Sequence, residues 1–164
     1  MFMEKLYILD STVFLETETG FLADKACVTV YDVREEMKSI KASIEFDKMV
    51  RLGLEIIEPE KTYIDEAEKT AKSTNDKVSR ADKKVVALAL HFKAKGKDVA
   101  VVSDDYGVQN LCKHLNLEIV PQSQKAIRQK LTWLKKCSAC GKRVESFEDI
   151  CPVCGSPLKY VPKR

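Results

Sequence analysis

Two apolar runs flank one acid in the stretch Lys5-Leu6-Tyr7-Ile8-Leu9-Asp10-Ser11-Thr12-Val13-Phe14-Leu15 near the amino terminus. The first run predicts a buried strand over Leu6 to Leu9, and the hydroxyl residues that follow predict a helix beginning at Ser11 or Thr12. Asp10 then stands at the carboxyl end of a strand, where open α/β sheets collect their ligands. A carboxylate there is either a helix cap or a metal ligand, and this stretch alone leaves both open.

The composition predicts a soluble globular protein. Of the 164 residues, 45% are hydrophobic and 32% are charged, and this length suffices for one ordinary domain and a small appendage. No apolar run reaches the length of a membrane span, and the amino terminus lacks the basic, apolar and small-residue order of a signal peptide. We therefore expect a cytoplasmic protein with no membrane partner.

The charge is distributed unevenly along the chain. Residues 1–120 contain 18 Lys and Arg against 22 Asp and Glu, a net charge of −4, whereas residues 121–164 contain 10 against 3, a net charge of +7. A basic tail on an acidic body suggests a protein that holds a polyanion with one part and acts on it with another. A Lys-rich tail that is merely solvated accounts for the same numbers, and charge alone does not separate the two interpretations.

Strand patterns alternate with helix patterns through the first 120 residues. Strands are predicted at residues 6–9, 26–30, 54–57, 99–102 and 117–120. A helix is predicted from Tyr31 through residue 52, and Gly53 ends it. This alternation predicts an α/β fold with a mostly parallel sheet. Pro121-Gln122-Ser123-Gln124 marks a boundary, so we expect a domain over 1–120, a linker over 121–130 and a second unit over 131–164.

Four acidic positions fall where strands end or helices begin. Asp10 follows the first strand, Glu36 lies in the helix after the second, Asp82 lies in the first turn of the central helix, and Asp104 or Asp105 follows the fourth strand. In a parallel sheet these positions fall at one edge, where carboxylates repel one another unless a divalent cation lies between them. Their oxygens suit magnesium or manganese, which can polarise a phosphodiester and activate a water. Helix caps at three of these acids, with a solvated Glu36, are the alternative.

Four of the six cysteines form two Cys-x-x-Cys pairs, Cys137 with Cys140 and Cys151 with Cys154. In a reducing cytoplasm this arrangement indicates a metal site rather than disulfides. The glycine after each pair permits a tight turn that directs amide donors at the thiolates. Four thiolates suit a structural zinc ion, with a rubredoxin-type iron site as the alternative. No glycine-rich phosphate loop is present, so we expect no small-molecule cofactor.

Residues 5–120 resemble PIN-domain ribonucleases through four acidic motifs in order: Leu9-Asp10-Ser11-Thr12-Val13-Phe14, Val33-Arg34-Glu35-Glu36-Met37, Ser79-Arg80-Ala81-Asp82 and Val101-Val102-Ser103-Asp104-Asp105. A PIN domain followed by a zinc ribbon is similar specifically to the archaeal Nob-one-type endonucleases, which mature the three-prime end of small-subunit ribosomal RNA. The resemblance implies a PIN-like three-layer α/β domain with a small C-terminal zinc ribbon.

The resemblance also implies site residues. It gives metal-binding catalytic roles to the acids of the first three motifs, Asp10, Glu36 and Asp82. Glu35 is the alternative to Glu36. In the last motif we prefer Asp105, which matches the family's order of a hydroxyl residue, any residue, then Asp, and Asp104 is the second candidate. Hydrolysis by a metal-activated water would leave a five-prime phosphate and a three-prime hydroxyl.

Basic side chains of the cysteine module are candidates for RNA contacts. They are Lys135, Lys136, Lys142, Arg143, Lys159, Lys163 and Arg164. Contacts of this kind with phosphates give salt-dependent affinity with little sequence preference. Trp133 is expected in the core of the module, whereas Tyr160 is open between core packing and base stacking.

The features together predict a metal-dependent endoribonuclease that cuts precursor small-subunit ribosomal RNA, with the assembling small ribosomal subunit as its partner. Magnesium or manganese would serve catalysis and zinc would serve the ribbon. One alternative is a toxin-like PIN ribonuclease, against which the attached ribbon speaks. The other is a non-catalytic RNA-binding assembly factor, which the intact acids disfavour.

Overall fold

The first predicted strand lies at the centre of a parallel sheet. The computed structural model describes residues 3–15, 19–122, 133–145 and 148–163. The sheet contains β1 (Leu6–Leu9), β2 (Ala26–Thr29), β3 (Glu55–Ile56), β4 (Val99–Val102) and β5 (Glu118–Val120). The order across the sheet is β3-β2-β1-β4-β5, and every pairing is parallel. The predicted α/β fold with a mostly parallel sheet is confirmed.

Helices cover both faces of this sheet. Within the described residues they are α1 (Thr12–Leu15), α2 (Tyr31–Glu35), α3 (Ile40–Arg51), α4 (Lys61–Thr74), α5 (Arg80–Ala94) and α6 (Tyr106–His114). The chain adds β2 and β3 on one side of β1 and then β4 and β5 on the other. Right-handed crossovers in opposite directions place their helices on opposite faces, which makes three layers. Accordingly, α1 packs on α3, whereas α4, α5 and α6 pack on one another.

The helices of this fold were compared with the length and apolar character of a membrane span. In the part of the chain that the structure describes, no helix combines the length and the apolar character needed to cross a membrane.

The helix predicted from Tyr31 through residue 52 is instead two helices, so that prediction was wrong. Ser39 stands between them in an extended conformation, and its Oγ accepts a 3.1 Å hydrogen bond from the Ala42 N–H as the cap of α3. Serine competes in this way with the helical backbone and favours a new helix start. The break leaves Glu36 as the C-cap residue directly after α2, where its N–H donates to backbone carbonyls of the preceding turn.

The central helix α5 carries the middle of the core, as its apolar sequence predicts. Residues 85–89 are fully buried, and α5 packs against β1 and β4. Its first turn is fixed by reciprocal bonds, because Ser79 Oγ accepts from the Asp82 N–H at 3.1 Å and the Ser79 N–H donates to Asp82 Oδ2 at 2.7 Å. This capping box places Asp82 at the edge of the sheet where β1 ends.

A second, antiparallel sheet carries the cysteines. It contains β6 (Trp133–Cys137), β7 (Arg143–Val144) and β8 (Leu158–Pro162) in the order β7-β6-β8. The segment that leads into Cys137 is a strand from Trp133 onward. Most of the predicted linker, residues 123–130, lies outside the described residues, so the domain boundaries stay a prediction.

Candidate active site

Asp10 lies fully buried at the carboxyl end of β1. Its Oδ2 accepts hydrogen bonds from Ser103 Oγ at 2.6 Å and from Thr12 Oγ1 at 3.1 Å. Burial raises the pKa of Asp10 to about 6, and the charge of Asp82 acts in the same direction, while the hydrogen bonds from neighbouring residues oppose both. A buried carboxylate with a raised pKa and a charged neighbour is typical of a functional site.

Asp82 and Glu36 meet at Ser79. While the Ser79 N–H holds Asp82, Ser79 Oγ donates to Glu36 Oε1 at 3.2 Å. Burial raises the pKa of Asp82, and the charges of Asp105 and Glu36 raise it further against the opposing hydrogen bonds of Ser79. Asp82 is therefore coupled electrostatically to acids from three other segments, since it also acts on Asp10. Glu35, the alternative to Glu36, is exposed.

The two aspartates after β4 contact different partners. Asp105 caps α6, where its Oδ1 accepts from the Val108 N–H at 3.0 Å, and its charge acts on Asp82. Asp104 Oδ1 instead accepts from the Gln122 N–H at 2.8 Å, just beyond β5. The structure thus brings Asp105 towards Asp82 and engages the Asp104 carboxylate at the neighbouring strand end.

The acids form a charged cluster at one edge of the sheet. In the described part of the chain, no three of them bring oxygens within 4.8 Å of one another, in contrast to the cysteine sulfurs. They are nevertheless close enough that the charge of Asp82 raises the pKa of Asp10, and the charges of Glu36 and Asp105 raise the pKa of Asp82. Like charges in this arrangement favour occupation by a divalent cation with hard oxygen ligands.

Two hydroxyl side chains, those of Ser103 and Thr12, orient these acids. No sequence pattern predicted this role for them. Ser103 Oγ donates to Asp10 and accepts from the Asp105 N–H at 3.0 Å, so it ties two acids together. Thr12 Oγ1 likewise donates to Asp10 and accepts from the Asp104 N–H at 3.1 Å. The available signal was their position, because each lies within two residues of an acid in its own motif.

A buried ion pair fixes the helix that presents Glu36. Lys84 Nζ on α5 contacts Asp32 Oδ1 at 2.6 Å and Glu58 Oε2 at 2.7 Å, and Arg80 Nε contacts Asp32 Oδ2 at 3.0 Å. Asp32 lies in α2, so these contacts hold α2 against α5. They keep the end of α2 close to Ser79 at the start of α5. No local sequence pattern predicted this network.

The four cysteines of the two Cys-x-x-Cys pairs converge as predicted. Their sulfur atoms all lie within 4.8 Å of one another, including Cys137 to Cys154 at 3.4 Å and Cys140 to Cys151 at 3.7 Å. Hydrogen bonds from Ser156 lower the pKa of Cys154 to about 6. Thiolates are the form that binds metal, so this cluster can hold a metal ion with four sulfur ligands.

The candidate RNA-binding side chains divide by exposure. Lys136, Lys142 and Arg143 are exposed on the second sheet. Lys135 is only 1% exposed, and its Nζ donates to Asp149 Oδ1 at 2.9 Å and to the Glu148 carbonyl at 2.5 Å. These contacts turn the Lys135 side chain away from solvent, which disfavours a contact with RNA phosphates, and its role in RNA binding stays a prediction.

The fold and its acidic edge define a PIN-domain ribonuclease, and residues 7–92 match the family described as the PIN domain of ribonuclease. Endoribonuclease Nob1 of Methanocaldococcus jannaschii is 34% identical, over 94% of this chain and 77% of the relative. Endoribonuclease Nob1 of Archaeoglobus fulgidus is 32% identical, over 93% of this chain and 88% of the relative. The chain therefore belongs to the PIN-domain ribonuclease family, which confirms the predicted family and enzyme class.

A differently named relative is also similar. Ribonuclease VapC1 of Thermoplasma acidophilum is 28% identical, over 94% of this chain and 77% of the relative. At that coverage the aligned region extends into the cysteine module of this chain.

Proposed function

We propose that this protein is a metal-dependent endoribonuclease that cleaves precursor small-subunit ribosomal RNA. The observation that carries the proposal is the coupling of Asp82 to Asp10, Glu36 and Asp105 at the carboxyl edge of the sheet. Similarity to relatives named endoribonuclease Nob1, over more than nine tenths of the chain, supports this substrate class. The partner would be the assembling small ribosomal subunit, in the cytoplasm as predicted.

The four coupled acids would hold the catalytic metal: Asp10, Glu36, Asp82 and Asp105. Magnesium usually keeps several of its waters, so carboxylates that do not all touch one another can share it. When bound, magnesium or manganese supplies a Lewis acid for the phosphodiester and lowers the pKa of an attacking water. Asp104 is the lesser candidate ligand, because its carboxylate accepts from the backbone beyond β5.

The side chains around the acids set their orientation and charge. Ser103 and Thr12 hold the Asp10 carboxylate from one side, and Ser79 holds Asp82 and Glu36 together. A neighbouring cation favours the ionised form of a carboxyl group, which offsets the burial that raises the pKa of Asp10. Asp10 would therefore be ionised at neutral pH when the enzyme is loaded with metal.

The second sheet would bind RNA through its exposed cations. Lys136, Lys142 and Arg143 are available for phosphate contacts, and residues 121–164 carry a net charge of +7. The four cysteines would hold a structural zinc ion, since a four-thiolate site leaves no open coordination position for catalysis. The acidic domain over 1–120 would then cut an RNA that the ribbon over 131–164 helps to hold.

A second candidate function is that of a toxin-like ribonuclease with a different RNA substrate, which the similarity to ribonuclease VapC1 favours. This candidate uses the same acids and the same metal chemistry. It differs in substrate, because it predicts cleavage of RNAs unrelated to the small-subunit three-prime end.

The test is cleavage by the full chain of an RNA spanning the mature small-subunit three-prime end, with manganese. A structured RNA of the same length and unrelated sequence serves as the competitor. We expect a specific cut that leaves a five-prime phosphate, is lost in Asp10→Asn and is kept in the matched exposed-site control Glu35→Gln. Equal cleavage of both RNAs would favour the toxin-like function. Tight binding with no cleavage by the wild type would overturn the nuclease proposal.

A further inference from the structure

A cavity of about 290 Å³ lies between the acidic edge and the second sheet. Its walls come from the loop after α4, the start of α6, and strands β6 and β8: Asp76, Lys77, Asp105, Tyr106, Trp133 and Tyr160. Asp105 belongs both to this cavity and to the cluster of acids that acts on Asp82. Whatever occupies the cavity therefore lies next to the site where the phosphodiester would be cut.

Trp133 lies at one wall, close to Asp76. It is half-buried, and it opposes the rise that burial causes in the pKa of the Asp76 carboxyl group. Asp76 is itself buried and accepts from Asn110 Nδ2 at 2.9 and 3.1 Å. This chain of contacts runs from α6 through the loop after α4 to β6. The indole ring therefore lies beside the loop after α4, on the same cavity as Asp105.

The two tyrosines face the cavity from different parts of the fold. Tyr106 begins α6 directly after Asp105 and is 53% exposed. Tyr160 lies on β8, is 38% exposed, and has Lys135 Nζ 5.1 Å from its ring centroid. Partly exposed aromatic rings at a nuclease site are available for stacking on bases.

The first turn of α6 lies close to the Val78 side chain, because Gly107 has no side chain of its own. A Cβ atom placed on Gly107 would lie only 2.6 Å from Val78 Cγ1 and 3.1 Å from Asp105 Oδ1. Glycine thus lets the first turn of α6 lie directly against the chain that follows α4. This contact keeps Tyr106 and Lys77 on the same small cavity.

We propose that this cavity binds one unpaired nucleobase of the RNA substrate, stacked among Tyr106, Trp133 and Tyr160 beside the scissile phosphate. The inference rests on the proposed nuclease function and deepens it. Stacking on aromatic rings tolerates every base, because each base has a π face. Lys77 at the wall supplies a cation for the adjoining phosphate. The second sheet then contributes Trp133 and Tyr160 to the substrate site of the acidic domain, in addition to its positive charge.

The test measures binding of single-stranded RNAs that carry one abasic nucleotide, stepped across the cleavage position. The protein is the full chain with zinc and manganese, carrying Asp10→Asn so that the RNA stays intact. We expect one position at which loss of the base weakens binding about tenfold, as loss of one stacked base should. Tyr106→Ala should weaken binding of intact RNA by a similar factor, and Tyr106→Phe should not.

Combining the Tyr106→Ala protein with the abasic RNA tests whether the ring and the base contact each other. For the abasic RNA that binds about tenfold more weakly, Tyr106→Ala should cause no further loss of affinity, because the ring has no base left to stack on. Additive losses, or equal losses at every abasic position, would overturn the inference. Tyr160→Ala, with Tyr160→Phe as its control, repeats the test on the second sheet. Tyr106 lies in the first domain, so the Tyr106 result still stands if Tyr160→Ala prevents the ribbon from folding.

Cleavage of the same RNA by the chain with Asp10 intact separates this inference from the proposed function. A cut with no base-dependent binding would overturn the nucleobase site and leave the nuclease standing. Base-dependent binding without any cut would support the nucleobase site and overturn the nuclease.

Discussion

Ser103 Oγ donates a 2.6 Å hydrogen bond to Asp10 Oδ2 and so joins the carboxyl ends of β1 and β4. Both side chains are fully buried. The strand register places them side by side, because Leu9 pairs with Val102 and the Asp10 N–H donates to the Val102 carbonyl at 3.2 Å. One hydroxyl therefore orients an acid that comes from a segment more than ninety residues away.

Ser103→Ala should lower both stability and activity. It leaves the buried Asp10 carboxylate without its shortest hydrogen bond, which costs about 1–3 kcal/mol of unfolding free energy. Loss of such an orienting contact reduces metal affinity or activity by about 10–100-fold. Urea unfolding and manganese-dependent cleavage measure the two effects. Ser11→Ala is the matched control, since Ser11 contacts the same carboxylate at 3.5 Å, and equal effects of the two changes would contradict this interpretation.

Asp10 should make the stability of the fold depend on pH in the absence of the catalytic metal. Its pKa rises from 3.8 to about 6 on folding, so the folded state holds the proton more tightly than the unfolded state. The contribution of Asp10 to the free energy of unfolding is complete below pH 4. It falls by about 3 kcal/mol as the pH rises through 6. Urea unfolding from pH 4 to pH 7 should show this fall in wild type and a weaker one in Asp10→Asn. Parallel slopes in the two proteins would disprove it.

Asp105→Asn and Asp104→Asn should differ in cleavage. Asparagine can still cap α6 at position 105, so the fold should survive while the charge that acts on Asp82 is lost. We expect a fall of at least about 100-fold for Asp105→Asn, because loss of a metal ligand should exceed loss of a contact to a ligand. Asp104→Asn should retain most activity. The reverse order of the two variants would make Asp104 the ligand.

Lys135→Met and Lys136→Met should separate stability from RNA binding. Lys135 is buried and bonded to Asp149, so its replacement should lower the melting temperature of the protein. Lys136 is exposed on the same strand, and its replacement should weaken RNA binding across sequences and reduce the salt slope of the affinity by about one. Binding titrations at several salt concentrations measure this. A lower salt slope with Lys135→Met and an unchanged melting temperature would support Lys135 as an RNA contact.

Removal of the cysteine-bound metal should be visible in the fluorescence of Trp133. This residue is the one tryptophan of the chain, and it begins the strand that ends at Cys137. Structural zinc contributes much of the folding free energy of small modules, so a chelator should shift the emission while the parallel sheet keeps its circular dichroism. Adding zinc should restore the signal. Metal analysis of the purified protein distinguishes zinc from iron, and unchanged emission after complete metal removal would contradict a structural role.

Much of the fold and of the candidate site followed from local sequence patterns. The apolar run before Asp10 predicted the central strand, since a strand buried on both faces is apolar throughout. The Ser79 and Asp82 pattern predicted the start of α5, and the two Cys-x-x-Cys pairs predicted the converging sulfurs. These features depend on residues that are close in sequence, so they can be predicted from the sequence alone.

Tertiary contacts decided the rest. Which aspartate faces Asp82 depends on Gln122 and Ser103, because the Gln122 N–H holds the Asp104 carboxylate and Ser103 Oγ accepts from the Asp105 backbone N–H. The inward position of Lys135 depends on Asp149, fourteen residues away. The amino-acid sequence by itself therefore determined the sheet, its acidic edge and the four converging sulfurs. The tertiary structure decided how each charged side chain is oriented, because a buried charge needs partners that only folding brings together.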